Sequence, residues 1–303
     1  MTSGTQSTAT TRSAARASRW TREEIEIVLA RILKWLLIAV FVLLTAFPFY
    51  WMVVMSVRDT TAVLREPTRL LPTLGELTGF TQSYAAVLDQ FRFGTFIGNS
   101  LLVSVLVVVL TLLLAIPGAY AVTRLEFRLK NTMSWGILLV YLFPAIVIGI
   151  PLFVIYSKLG IRGNLPSIVI VYMSGTLPVA LYMLRSYFQT IPAELEEAAL
   201  IDGSGRIATI WRIILPLSVP TVASVALYTF MIAWNELLFA ILFLTDSPNA
   251  WTLPLGLMQL DTQEVPRTYL MAGSVIITVP VIVLFFFFER FLTQGLTAGA
   301  VKG

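Results

Sequence analysis

Residues 197–220, EAALIDGSGRIATIWRIILPLSVP, decide the fold, because this partly polar stretch stands between two strongly hydrophobic segments. Just before it, Pro192 suits the first position of a helix. The three carboxylates that follow, Glu194, Glu196 and Glu197, interact favourably with the positive end of a helix dipole. The sequence therefore predicts a short helix that starts near residue 192.

A glycine ends this helix, and a second helix begins soon after it. Gly203, which follows Asp202, is typical of a helix end, and Ser204 can cap the next helix. The apolar side chains of the second helix recur at the spacing of one helical face. They are Ile207, Ile210, Trp211 and Ile214. The pattern predicts an amphipathic helix that packs against the membrane or against spanning segments.

Two small residues give the first helix a surface without bulk. Ala198 and Ala199 allow the groove of another protein to approach the helix backbone closely. We therefore expect this helix to be a docking element.

The composition is that of an integral membrane protein. The 303 residues are 57% hydrophobic and 13% charged, whereas an average soluble domain is about 25% charged. The chain has no Cys and no His, which excludes disulfides and removes the commonest ligands of zinc, copper and haem. Lys and Arg are spread through the loops, which indicates membrane orientation and no nucleic-acid partner. We expect an all-α polytopic membrane protein that binds no cofactor or metal itself.

Six apolar runs each reach the roughly 20 residues that a spanning helix needs. They are residues 35–57, 93–122, 133–156, 165–184, 213–244 and 269–288. Several runs contain prolines, so kinked or locally broken helices are expected. About twice as many Lys and Arg residues fall on the side that carries both termini, which predicts that both termini are cytoplasmic. Residues 189–216 follow the fourth span and are expected on the same side.

The spans divide the chain into further parts. In order, these are a disordered cytoplasmic tail (1–20), an interfacial amphipathic helix (21–34), the six-helix transmembrane domain (35–292) and a cytoplasmic carboxyl-terminal tail (293–303). Two loops, 58–92 and 245–268, are expected outside the membrane. The second is either an interfacial turn held by Trp251 or a contact for an external solute-binding protein.

Spaced residues in the opening stretch are similar to a known docking loop. They are Glu197-Ala198-Ala199, Asp202-Gly203 and Ile213-x-Leu215-Pro216. They resemble the EAA loop of the membrane subunits of binding-protein-dependent ABC importers, and the chain resembles the smaller, maltose-type permeases of carbohydrate importers. The resemblance implies the type I permease fold and a coupling loop, 189–216, that docks onto a cytoplasmic ATPase with Glu197 as the charged contact.

The carboxyl end, LTQGLTAGAVKG, resembles the tail of the same permeases, which reaches into the interface of the ATPase dimer. Its glycines would let an extended chain pass through a narrow interface. The residues implied in this contact are Gly295, Thr297, Gly299 and Lys302. The alternative from composition alone is a frayed tail.

The resemblance also implies the partners. These are a second, homologous permease subunit, two cytoplasmic ABC ATPase subunits, an extracytoplasmic solute-binding protein, a sugar and the lipid bilayer. ATP with magnesium is expected on the ATPases, because the chain lacks the GxxxxGK[ST] phosphate-binding loop. No Ser nucleophile can find a His base, which disfavours an enzyme.

Glu236 is the one formal charge inside an apolar run. A carboxylate in hydrocarbon is costly and usually functional, but Glu236 lies about 25 Å along the fifth span, where a hydrated helix end explains it equally well. The resembling permeases often have a similar Trp-Asn-acid sequence here, which adds Asn235 as a pathway candidate. Asn99 and Tyr172 are further candidates, with packing between helices as the alternative.

The sequence thus favours the permease subunit of an ATP-driven importer for a sugar or an oligosaccharide. One alternative is an ion-coupled secondary carrier that uses Glu236. Others are an ABC permease for glycerol phosphate or another polyol, and a membrane scaffold that transports nothing.

Overall fold

The computed structural model describes residues 22–130 and 142–300, and between these ranges residues 132, 133, 136 and 139, with the backbone alone at residues 24, 77, 78 and 292–300. The described part is helical and contains no strand, which confirms the all-α fold class. Its helices are α1 (Arg22–Val57), α2 (Thr60–Arg65), α3 (Thr78–Ala85), α4 (Phe93–Arg124), α5 (Ala145–Leu159), α6 (Leu165–Phe188), α7 (Glu194–Ile201), α8 (Arg206–Leu217), α9 (Val219–Asn235), α10 (Leu238–Leu244), α11 (Leu253–Met258) and α12 (Arg267–Ala300).

Four of these helices, α1, α4, α6 and α12, are long and apolar enough to cross a membrane. The pair α8 and α9 makes a fifth candidate span, bent by 83° at its break. The third predicted run, 133–156, lies partly outside the described residues. Its described part contains a break at Phe143 and Pro144, after which α5 begins.

The first of two compact units in the chain ends at residue 51, and its described part is α1 up to that residue. None of the most apolar window of α1 is buried, as expected of a surface that lipid or another membrane helix would cover. The helix is continuous through residue 34. The structure therefore has no break between the predicted interfacial helix, 21–34, and the first predicted span.

The core of the second unit is built on α4, which packs against α6 and α9. Val103 and Val107 of α4 share a buried cluster with Val171 of α6. Farther along, Ala115 of α4 and Ala180 of α6 are fully buried in a second cluster, where small side chains let the helices approach closely. The core therefore fixes α4 against its neighbours along its length.

The fifth predicted run, 213–244, is divided by two breaks, at Ser218 and at Glu236. The second break contains no proline, although prolines were the expected cause of broken helices. Conversely, Pro117 and Pro178 lie inside the continuous helices α4 and α6. The prediction of one long fifth helix is therefore wrong, and a carboxylate rather than a proline marks the second break.

The connection between α1 and α4, residues 58–92, is organised around Arg58, whose side chain is fully buried. Its Nε donates to Glu76 Oε2 at 2.9 Å, and its Nη1 donates to the Glu66 carbonyl at 3.1 Å. Burial opposes ionisation of Glu76, but the hydrogen bond and the charge of Arg58 hold the pKa of this carboxyl below its ordinary value. Gly79 lies against the Arg58 backbone, where any Cβ atom would collide.

Candidate functional site

The predicted docking helix is α7, and its start differs slightly from the prediction. The Ala193 carbonyl accepts the first helical hydrogen bonds, from the Glu196 and Glu197 N–H groups at 2.9 and 3.0 Å. The helix therefore begins at Glu194, two residues after Pro192. The three carboxylates lie in its first turn, as predicted.

A Schellman motif ends α7. The Ser204 N–H donates to the Ala199 carbonyl at 2.9 Å, the Gly203 N–H donates to the Leu200 carbonyl at 3.1 Å, and Gly203 has a φ of +82°. This confirms the predicted helix end at Asp202-Gly203. The prediction that Ser204 caps the next helix is wrong, because Ser204 completes this turn and Gly205 stands at the start of α8 without a side-chain cap.

One face of α7 is turned into the chain and carries Glu196 and Ala199, both buried. Glu196 Oε1 accepts a hydrogen bond from Arg124 Nε at 2.6 Å, and Arg124 Nη2 donates to the Ile191 carbonyl at 2.6 Å. Arg124 is the last residue of α4, so this ion pair fixes α7 to the end of that helix. The helix dipole, by which the sequence explained all three carboxylates, does not explain this role of Glu196.

The opposite face of α7 is exposed and carries Glu197, Ala198 and Asp202. Ile201 is 85% exposed on the same helix. The prediction that Ala198 and Ala199 form one docking surface is wrong for Ala199, because successive side chains of a helix point about 100° apart. On α7, Glu197 and Ala198 lie on the exposed side, and the next side chain, Ala199, has turned to the buried side.

The apolar face of α8 divides in the same way. Ile214 is buried, and Ile210 packs against the cluster that contains Ile214. Ile207 and Trp211 are mostly exposed. Of the four side chains, Ile210 and Ile214 thus pack against the chain itself, whereas packing of Ile207 and Trp211 against the membrane stays a prediction. We define the coupling surface as six of the exposed residues of α7 and α8: Glu197, Ala198, Ile201, Asp202, Ile207 and Trp211.

A cavity of about 280 Å³ is lined by residues of α5, α6, α9 and α10. Its polar lining consists of Tyr172, Ser174, Tyr228 and Glu236, beside Phe143, Ile148, Pro178, Ile232 and Phe239. The described lining residues include one carboxylate and no Lys or Arg. Across the described chain, no three acidic side chains cluster closely enough to hold a metal ion.

Glu236 and Tyr172, two of the four pathway candidates, meet at this cavity. Glu236 has extended backbone angles, and its carboxylate accepts from the N–H groups of Phe239 and Ala240 at 3.0 and 3.3 Å, which caps α10. The Tyr172 hydroxyl donates to the Glu236 carbonyl at 3.3 Å. The carboxylate is thus explained by a helix break within the apolar run, and not by the end of an unbroken span.

The other two pathway candidates lie outside the lining of this cavity. Asn99 Nδ2 donates to the carbonyls of Asn249 and Trp251, both at 2.9 Å. Asn235 Nδ2 donates to the Met231 carbonyl at 2.9 Å, and Asn235 lines a separate cavity of about 220 Å³. A pathway role for Asn99 and Asn235 stays a prediction.

The carboxyl-terminal candidates lie in or beyond the last helix. The backbone of α12 continues through Gly295, Thr297 and Gly299 to Ala300. The expected extended or frayed chain is therefore wrong up to Ala300, and Lys302 lies outside the described residues. Each added helical residue gains a hydrogen bond, which offsets the cost of about 1 kcal/mol for each glycine.

Comparisons with known proteins agree with this geometry. A model of the family described as binding-protein-dependent transport system inner membrane component matches residues 112–298. The inner membrane ABC transporter permease protein YcjP of Escherichia coli is 39% identical over 267 residues, 88% of this chain and 94% of that protein. The trehalose/maltose transport system permease protein MalG of Thermococcus litoralis is 38% identical over 286 residues, 93% of this chain and 99% of that protein.

A solved structure shares the fold. It is the crystal structure of a bacterial ABC transporter involved in the import of the acidic polysaccharide alginate, and one of its chains matches with a TM-score of 0.77 at 25% identity. The match covers 89% of this chain and 98% of that chain. The family match includes α7 and every described residue that lines the cavity of Glu236. The chain therefore belongs to the family of binding-protein-dependent transport system inner membrane components.

Proposed function

We propose that this chain is the membrane-spanning permease subunit of an ATP-driven importer for a sugar or an oligosaccharide, and that it forms half of the translocation pathway. The observation that carries the proposal is the position of Glu197. It is exposed on a short helix whose opposite face is fixed to α4, so a partner can both bind it and push on it. The likeness to a trehalose/maltose permease supports the sugar class.

In this proposal the coupling surface binds a cytoplasmic ABC ATPase, and two such ATPases carry ATP and magnesium. The residues assigned to the contact are Glu197, Ala198, Asp202 and the Gly203 turn, with Ala199 supporting them from inside. The end of α12, including Gly295, Thr297 and Gly299, and the following Lys302 are assigned to a second ATPase contact. Both termini are then cytoplasmic.

The other side of the membrane receives the substrate. A second, homologous permease subunit completes the pathway, and an extracytoplasmic solute-binding protein contacts loops 58–92 and 245–268. In the second of these loops, Trp251 Nε1 donates to the Leu244 carbonyl at 3.0 Å, so the tryptophan also holds the turn. The interfacial turn and the partner contact are therefore compatible.

The cavity of Glu236 is the part of this chain that we assign to the pathway. Its aromatic and hydroxyl groups suit the apolar faces and hydroxyls of a sugar, as in other small-molecule sites with few polar groups. A carboxylate without a cation among the described lining residues repels an anion. This favours an uncharged sugar over glycerol phosphate.

The proposed mechanism is transmission of a domain movement. Closure of the ATPase pair on ATP moves α7 as a rigid body, and the spans change from inward-facing to outward-facing. A partner that binds both states equally would shift nothing, so the ATPases must hold α7 differently in the two states.

The test is uptake by the complete transporter in proteoliposomes, with Glu197→Lys and its matched control Glu194→Lys. Both residues are exposed in the first turn of α7. Glu197→Lys is expected to weaken ATPase binding about tenfold or more and to lower ATP-dependent uptake in parallel, while Glu194→Lys leaves both near wild type. Equal effects of the two variants would contradict the role of Glu197.

A secondary carrier remains the second candidate, favoured by the half-buried carboxylate of Glu236. It predicts uptake that follows an ion gradient, needs no ATPase and is lost in Glu236→Gln. The same proteoliposomes without ATP, with and without a proton or sodium gradient, separate the two functions. Gradient-driven uptake without ATP would overturn the importer proposal.

A further inference from the structure

The helix α4 is held at both ends by side-chain hydrogen bonds to segments that are far away in sequence. At one end, Arg124 binds Glu196 of α7, and it also binds the Ile191 carbonyl in the linker between α6 and α7. At the other end, Asn99 Nδ2 binds two carbonyls of residues 249–251, and Ser100 Oγ accepts from the Leu253 N–H at 2.7 Å. We call residues 249–253 the distal segment.

The ion pair at the first end is shielded from water. The side chain of Arg124 is 17% exposed and that of Glu196 is 8% exposed. The ion pair of Lys130 with Glu126, by contrast, has a largely exposed partner. A shielded and hydrogen-bonded pair resists separation far more than an exposed one, because loss of either partner leaves an uncompensated charge. The junction of α7 and α4 is therefore stiff.

Between its ends, α4 is continuous and well supported. Its 32 residues give a length of about 48 Å at 1.5 Å per residue. Near its middle, Thr111 Oγ1 and Thr176 Oγ1 are 3.0 Å apart, and both residues are fully buried. A movement of one end of such a helix reaches the other end without an intermediate loop.

We propose that Arg124 is a positioning residue for transport, which ties α7 to α4 so that movement of the coupling surface is transmitted along α4 to the distal segment. This inference rests on the proposed function. It adds a defined route, because α7 is joined covalently to α6 and α8 and not to α4. Without Arg124, α7 would act on the spans through the 189–193 linker, the Gly203 turn and the contact of Glu196 with Tyr120 of α4.

The distal segment leads directly to the cavity assigned to the pathway. Trp251 Nε1 binds the Leu244 carbonyl at the end of α10, and α10 begins at the carboxylate cap of Glu236. A series of hydrogen-bonded contacts therefore connects α7 to α4, α4 to the distal segment, and the distal segment to α10. A contiguous network of this kind is a hypothesis about coupling that needs a direct measurement.

The experiment uses the absence of cysteine from this chain. A single substitution, Asn249→Cys, places an environment-sensitive fluorophore at the exposed residue of the distal segment. The complete transporter is used, with partner subunits that carry no reactive cysteine. ATP is expected to change the fluorescence of the labelled wild type. In Arg124→Gln, the change per ATP hydrolysed is expected to fall about tenfold, within the usual range of coupling between two sites. Lys130→Gln, which alters an exposed pair near the same end, is the matched control.

The role of Arg124 is separated from simple misfolding by two further variants. Arg124→Lys keeps the charge and is expected to recover part of the signal, whereas a purely structural defect would show as loss of ATPase co-purification in both variants. Ser100→Ala leaves every contact of α7 in place and is expected to lower the signal at residue 249 while ATP hydrolysis continues. If Arg124→Gln does not assemble, an undiminished signal in Ser100→Ala overturns the proposal.

The outcomes also distinguish this inference from the proposed function. If the labelled wild type does not respond to ATP although it imports sugar by an ion gradient, the importer itself is wrong. If the wild type responds and Arg124→Gln responds equally, with normal uptake, the importer stands and transmission through Arg124 is overturned.

Discussion

Two arginines with mostly buried side chains form similar ion pairs but join different parts of the chain. Arg58 pairs with Glu76 and binds carbonyls within its own connection, 58–92. Arg124 pairs with Glu196, 72 positions away in sequence, and joins two helices of different parts of the chain. The first arrangement stabilises one segment by contacts within it, whereas the second joins α7 to α4 and, in our proposal, makes them move together. The two ion pairs are of the same type. They differ in the sequence separation of their partners, which decides whether a pair stabilises one connection or joins two distant helices.

Loss of the ion pair between Arg58 and Glu76 should give the largest effect on stability. Arg58→Gln removes the charged donor at the centre of the connection and is expected to cost about 3 kcal/mol, as for other broken buried pairs. Hydrogen exchange of residues 58–92 in detergent or nanodiscs measures this as faster exchange confined to that connection. Arg69→Gln, which removes a partly exposed cation from the same cluster, is expected to cost at most about 1 kcal/mol. Equal exchange in both variants would contradict the central place of Arg58.

The turn at the end of α7 should give the next largest effect. Gly203→Ala forces a side chain into left-handed backbone at a φ of +82°, at a cost of about 1–2 kcal/mol. We expect reduced ATP-dependent uptake at unchanged expression. Gly205→Ala is the matched control, because Gly205 has a φ of −72° and open space around its Cβ position. A larger loss of uptake in Gly205→Ala would show that the Schellman turn does not matter.

The smallest expected effect is the pH dependence of the stability of the connection 58–92. The pKa of Glu76 is lower in the folded chain than in the unfolded chain, so its stabilisation is complete above the ordinary carboxyl pKa. It is lost as the pH falls through the folded value. Hydrogen exchange of residues 58–92 should therefore speed up as the pH drops from about 6 to about 3, after correction for intrinsic exchange rates.

Glu76→Gln tests the origin of that acid sensitivity. The variant should weaken the connection at neutral pH and reduce its further loss in acid. Some acid dependence remains, because a hydrogen bond from Thr61 lowers the pKa of Asp59 in the same connection. Acid sensitivity identical to the wild type would contradict the pairing of Glu76 with Arg58.

Local features of the sequence predicted local structure well. The carboxylates and Gly203 predicted α7 and its end, because helix dipoles and positive-φ turns depend on neighbouring residues alone. The family and the fold class also followed from the sequence. Pairings between distant residues did not, and the contact of Arg124 with Glu196 has no signal in a single sequence that separates it from a surface charge.

The errors have a common physical origin in competition between local and tertiary interactions. Ala199 and Glu196 satisfy the local pattern of a docking helix, yet both are buried against the rest of the chain. Glu236 looks like a charge stranded in an apolar helix, yet it caps a new helix at a break. A carboxylate inside an apolar run can therefore indicate a helix cap as well as an ion site.

The proposed coupling of α7 to α4 through Arg124 is tested most directly by the ratio of sugar imported to ATP hydrolysed in proteoliposomes. Arg124→Gln should retain ATP hydrolysis and lower this ratio about tenfold, while Lys130→Gln should match the wild type. A ratio in Arg124→Gln equal to that of the wild type, with the ATPases still bound, would contradict coupling through α4.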